Sequence, residues 1–279
     1  MGGRLKFLKL PTFGKPKEKK YTREIEEQSA AQRLCFVLCD DVRVQTAKLS
    51  LELVREFGSS SRIEKEKDGV YFVSAPSCDR AFFSILPIAM AEEEAEKNAE
   101  ANVFWPQGRR QLQGYNSHVA VGVLSGPESF AQLNIMLSRL ARVALRVFNG
   151  IAVYWGEGAI TNSSSVFMDM SRDMGSDNLP LYLWMRFQVV RTGEGDFELY
   201  TRGMAQFGLM DIEVGPCHWQ PKELIGFVSN IASYLVNNGA VIKSGDTVGG
   251  DKEQRIVVRH GRGKHGGKNP VYKISIADL

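Results

Sequence analysis

Long apolar runs are missing from this chain of 279 residues. None approaches the roughly 18 residues that a membrane-spanning helix needs, so no span is expected. Cysteine is scarce, with four residues (Cys35, Cys39, Cys78, Cys217) and no CxxC pair. That excludes a disulfide scaffold and a zinc site of ordinary ligand spacing. Histidine is equally scarce: His118, His218, His260 and His265 form no HExxH or HxH motif. No GxxxxGK[ST] loop is present either. The near-balance of charge, +3 overall, excludes whole-protein steering toward nucleic acid. No metal and no cofactor are expected.

What charge there is sits unevenly. Residues 1–20 carry seven basic side chains against Glu18 alone, and the opening residues lack the apolar stretch of a secretory signal. Residues 1–30 are therefore expected to form a basic, disordered arm, of which residues 1–20 are dispensable for folding. The chain as a whole is 43% hydrophobic, which is ample for a core. Cys35 and Cys39 lie four apart in an apolar run and read as buried, reduced thiols of a cytoplasmic protein.

Periodicity then supplies elements. Leu34–Cys39 reads as a buried strand, and residues 46–57 as a helix opened by Thr46. Strand-like pieces follow at Ile63–Ser74 and Ala81–Met90. Residues 91–104 place Ala91, Ala95 and Ala99 on one helical face. His118–Leu124 completes a β-α-β-β-α-β order, which predicts a ferredoxin-like part over residues 31–126. A second antiparallel α+β part is expected over residues 127–279, either separate or continuous with the first, giving an α+β fold. It opens with a helix from Pro127 to Val147, stopped by Asn149-Gly150. Ile151–Trp155 is a strand and 161–178 a loop. Leu181–Arg191 and Phe197–Met204 flank a hairpin turn, and Met210–Val214 is a further strand. A helix runs from Pro221 to Asn238-Gly239, and strands at 240–243, 255–259 and 271–276 finish the chain.

Chemistry-bearing residues are few. Glu157 stands between two glycines at a strand end, and Asp211 and Glu213 alternate so as to share a strand face. Arg259, Arg262, Lys264 and Lys268 surround a glycine-rich loop that could hold an anion. The turns at 207–213 and 245–249 flank the helix of 222–236 and are expected to meet.

Several spaced segments together resemble one family. They are Ile151-Ala-Val-Tyr-Trp155, Leu179–Phe187, Leu199-Tyr-Thr-Arg-Gly-Met204, Phe207-Gly-Leu-Met-Asp-Ile-Glu213 and Gly245-Asp-Thr-Val-Gly249. In order, over roughly residues 80–260, they are similar to an uncharacterised bacterial family known only as a domain of unknown function. Its C-terminal block has a Thr-x-Gly strand, an FGxxEIE-like turn and a GDT[VI]G turn. Asp211 stands where that turn has glutamate. The resemblance implies an intracellular accessory or immunity-type protein, associated with secretion or toxin systems. It makes Trp155, Glu157, Thr201, Gly203, Phe207, Gly208, Asp211, Glu213, Gly245, Asp246 and Thr247 the candidate surface. The expected function is non-catalytic interaction with another protein. One alternative is a metal-assisted hydrolase using Glu157, Asp211, Glu213, Asp246 and His118. Another is a weak nucleic-acid binder acting through the basic arm and loop.

Overall fold

A computed structural model describes residues 33–43, 46–126, 129–249, 256–265 and 269–276. The basic arm of residues 1–30, Pro127 and Lys268 lie outside the described residues. The chain divides into two compact units, one of Ala31–Arg186 and one from Phe187 to Leu279. The division therefore falls at 186/187, whereas 126/127 was expected, because the elements between those points complete the first sheet.

The first unit contains β1 (Arg33–Cys39), α1 (Thr46–Phe57), β2 (Arg62–Lys67), β3 (Val70–Ala75) and β4 (Cys78–Leu86). There follow α2 (Glu94–Glu100), α3 (Gly108–Gln111), β5 (Ser117–Ser125), α4 (Phe130–Val147), β6 (Ala152–Trp155), β7 (Ile160–Ser163), α5 (Ser164–Met170) and α6 (Leu181–Trp184). Its seven strands form one antiparallel sheet in the order β2-β3-β4-β5-β1-β6-β7. The α+β class holds, but the ferredoxin-like order does not. Asp68 and Gly69, both left-handed (φ 53° and 76°), split the expected strand at 63–74 into a hairpin and add a strand to the order.

The apolar run of β1 is placed at the inside of the sheet, with Val37 opposite Val119 on one side and Val153 on the other. Helix α4 packs on β1 and β5, and α1 packs on α4. On the opposite face Leu38, Ala152 and Tyr154 meet Ala95, Ala99, Trp105, Leu112 and Tyr115. All four cysteines are free and buried, and burial pushes the Cys39 thiol up to about 12 and Cys78 to about 11.

The second unit contains β8 (Arg186–Arg191), β9 (Phe197–Arg202), β10 (Asp211–Cys217), α7 (Pro221–Asn238), β11 (Thr247–Val248), β12 (Ile256–Arg262) and β13 (Pro270–Ile274). The sheet order is β11-β12-β13-β10-β9-β8. This part is not wholly antiparallel, since β10 and β13 run parallel. Helix α7 makes the crossover that a parallel pair requires. Its Leu224, Phe227, Val228, Ile231 and Leu235 are buried, and the helix packs on β9. A capping box between Gln220 and Glu223 starts α7, and Gly239 (φ 56°) ends it. Among the described residues no helix is long and apolar enough to cross a membrane.

Candidate functional site

In the second unit the candidates fall into separate local arrangements. Glu213 on β10 is buried, and its carboxylate accepts the backbone N–H groups of Lys264 (2.9 Å) and His265 (2.8 Å). Glu198 on β9, also buried, accepts from Lys264 Nζ (2.9 Å) and His265 Nε2 (3.0 Å). Burial alone would push the Glu198 pKa up. The bonds and charges of Lys264 and His265 outweigh it and hold the carboxyl below its ordinary range. The His265 ring lies flat on Tyr200, with centroids 4.2 Å apart and planes 11° apart.

Together these contacts latch Gly263–His265 onto the sheet. A Cβ at Gly263 would stand 2.6 Å from Glu213 Oε1, so a larger residue there would have to displace the carboxylate from its place in the latch. The expected anion loop thus already has two anions of its own: Glu213 takes its N–H groups and Glu198 takes the Lys264 ammonium. Glu198, Tyr200 and His265 escaped the sequence reading because their association spans more than 60 residues. The available signal was the alternation of Glu198 and Tyr200 on one strand.

Asp211 at the start of β10 belongs to a turn. Its Oδ1 accepts from Thr201 Oγ1 and from the Met204 N–H, both at 3.0 Å, and Thr201 Oγ1 in turn accepts the Ile212 N–H at 2.8 Å. Burial pushes the Asp211 pKa up from 3.8 to about 6, against the opposing pull of the Met204 and Thr201 hydrogen bonds. Gly203 (φ 120°) gives the bend that brings the Met204 N–H round to this carboxylate. Phe207 is buried and Gly208 (φ 70°) closes the same turn.

Gly245, Asp246 and Thr247 lie elsewhere. Asp246 Oδ2 accepts the Lys243 N–H at 2.7 Å and so stabilises its own turn. From β11 to β10 there are three strand steps, about 14 Å at roughly 4.8 Å each. The structure therefore does not bring the two turns together.

The remaining candidates belong to the first unit. Trp155 is a core residue, its ring 6.2 Å from that of Trp184. The Gly158 backbone does make a close approach, but to the chain itself, since a Cβ there would lie 2.0 Å from the Trp184 carbonyl oxygen. Glu157 stands 4.0 Å from the buried Arg33. His118 Nδ1 donates to the Ile88 carbonyl at 2.8 Å. Among the described residues no group of three or more His, Cys, Asp or Glu side chains is placed to hold a metal ion.

A different surface of the first unit stands out. Leu34, Gly122, Phe82 and Phe72 form one cross-strand row over β1, β5, β4 and β3. Leu34, Phe72 and Phe82 are each half-buried, while Leu124 on the same face of β5 is exposed. The Phe82 ring and Leu34 lie over Gly122, where a Cβ would meet them at 2.3 and 2.8 Å. The Arg80 guanidinium sits 4.5 Å above Phe72.

No curated protein and no solved structure matches the chain. Residues 200–275, from the end of β9 through β13, match the family described as Domain of unknown function (DUF4261).

Proposed function

We propose that the protein is a non-catalytic interaction module whose first unit receives a partner protein on the row Leu34–Phe82–Phe72. The observation that carries this reading is the row itself. Helices α2 and α3 cover this face of the sheet around Leu38, Ala152 and Tyr154, and the part of a sheet face left to solvent is ordinarily polar. Here it presents half-buried aromatic and aliphatic side chains on adjacent strands, next to the exposed Leu124. Aromatic residues on a contiguous apolar patch are what protein interfaces use as anchors. The acidic candidates support the non-catalytic side, because Asp211, Glu213 and Asp246 each accept hydrogen bonds from their own chain. Four buried free thiols are in keeping with a reducing, cytoplasmic setting.

The test is affinity purification of the full chain, with cross-linking, from cells that produce it, comparing wild type with Phe72→Glu. A protein retained by wild type and lost from a variant with an unchanged thermal midpoint is the expected result. Retention of the same proteins by both chains, or none by wild type, overturns the reading.

A further inference from the structure

On the second sheet, the face that carries the Glu213 latch holds a second cross-strand row. Arg259 pairs with Lys273, Lys273 with Glu213, and Glu213 with Tyr200, across β12, β13, β10 and β9. Arg259 and Lys273 are both exposed, and like charges directly opposite each other on paired strands repel. Glu213 lies beside Lys273 but gives its carboxylate to the Lys264 and His265 N–H groups. Among the described residues neither Arg259 nor Lys273 takes part in an ion pair. Arg202, two residues past Tyr200 on β9 and exposed, adds a cation on the same strand face. The fold thus sets Arg259 and Lys273 on one face with a flat ring stack, Tyr200 under His265, the Glu213 carboxylate standing between Lys273 and Tyr200. At roughly 4.8 Å per strand, Lys273 lies about 10 Å and Arg259 about 14 Å from Tyr200 across the sheet.

We infer that this face binds single-stranded nucleic acid, with Arg259 and Lys273 on the phosphates and the Tyr200–His265 stack against a base. Cations alone would suit any polyanion. The added ring stack suits a ligand that alternates phosphates with flat bases, the combination used in sequence-tolerant single-strand binding. An acidic peptide would leave the stack unused. The inference concerns the second unit and is independent of the apolar row, so Phe72→Glu should leave it intact.

Fluorescence anisotropy with a labelled 12-nucleotide oligouridine and the full chain tests it. Arg259→Ser/Lys273→Ser is compared with Lys15→Ser/Lys17→Ser, which changes the net charge equally in the basic arm. The sheet variant should lose at least tenfold in affinity and the arm variant less than threefold. The slope of log affinity against log salt should become shallower by about 1.4 for the two lost contacts. Tyr200→Leu should weaken oligouridine but leave an abasic oligonucleotide of equal length unaffected. A thermal midpoint accompanies each variant, and Lys273→Gln alone replaces the double variant if that one is destabilised. Equal losses in sheet and arm variants overturn the inference. So does the absence of oligouridine binding, or polyglutamate bound as tightly as oligouridine.

Discussion

Asp211 is a carboxylate whose surroundings favour its neutral form. The folded protein holds the proton more tightly than the unfolded chain, so stability should fall as pH rises from about 4 through the folded value of about 6 and then level off. At about 1.4 kcal/mol per unit, the shift from 3.8 to about 6 is worth on the order of 3 kcal/mol. Asn at 211 can still accept from Thr201 and Met204 through its amide oxygen. Asp211→Asn should therefore raise the thermal midpoint at pH 7 and flatten this part of the pH profile in calorimetry. Glu198 has the opposite sign. Its depressed pKa contributes stability above the unfolded value, which is lost as pH falls through the folded one. Glu198→Gln should release the Lys264 and His265 side chains. Hydrogen exchange should then show faster amides at 263–265, with a stability loss of about 1–3 kcal/mol. Gly158→Ala should be costlier than its size suggests, because the obstruction is the Trp184 backbone and cannot rotate away. A loss of at least about 1–3 kcal/mol in urea unfolding is expected.

At the scale of elements, legibility followed period and punctuation. Helices α1, α4 and α7 showed in the sequence because their apolar residues recur at helical spacing, and Asn149-Gly150 and Asn238-Gly239 mark two of the ends. Strand β1 showed as an unbroken apolar run. Elements set by tertiary contact did not show. The region of 161–178 read as a loop because Ile160–Ser163 is polar for a strand; yet Thr161 Oγ1 is satisfied by the Ala95 carbonyl and Asn162 bonds Asn102. Ser163 then accepts the Val166 N–H and caps α5. Leu181–Trp184 looks like a strand in its apolar content and instead makes a single helical turn before β8. Residues 240–243 form no strand, although Ile242 offers its carbonyl to His260. The Asp68-Gly69 pair is itself a hairpin signal in the sequence. Gly69→Val should destabilise the protein by about 1 kcal/mol or more, measured by thermal unfolding, since a β-branched residue resists a positive φ.

For the whole molecule, two sheets with separate cores divide the candidate residues between them. Trp155 and Glu157 belong to one unit and residues 201–247 to the other. The linear order of motifs could not convey that division. The latch was hidden for a related reason: a carboxylate on β9 and a loop before β13 meet only once β10 and β13 pair in parallel. The rows Leu34–Phe82–Phe72 and Arg259–Lys273–Tyr200 are likewise products of register, invisible until strands are aligned.

The order β2-β3-β4-β5-β1-β6-β7 also has a meaning in time. Among the described residues the first strand in chain order, β1, is an inner strand of its sheet, and neither of its neighbours exists until residues 117–125 and 152–155 have followed. Strands β2, β3 and β4 can meander together from local contacts, whereas β1 must wait with its apolar run unpaired. Contacts so distant in sequence slow folding and leave such a segment open to aggregation or to chaperones. Pulse-labelled hydrogen exchange during refolding should protect amides of Val70–Leu86 before those of Arg33–Cys39. A nascent chain stalled before β6 leaves the peptide channel should hold β1 accessible to chaperone, and one stalled beyond it should not.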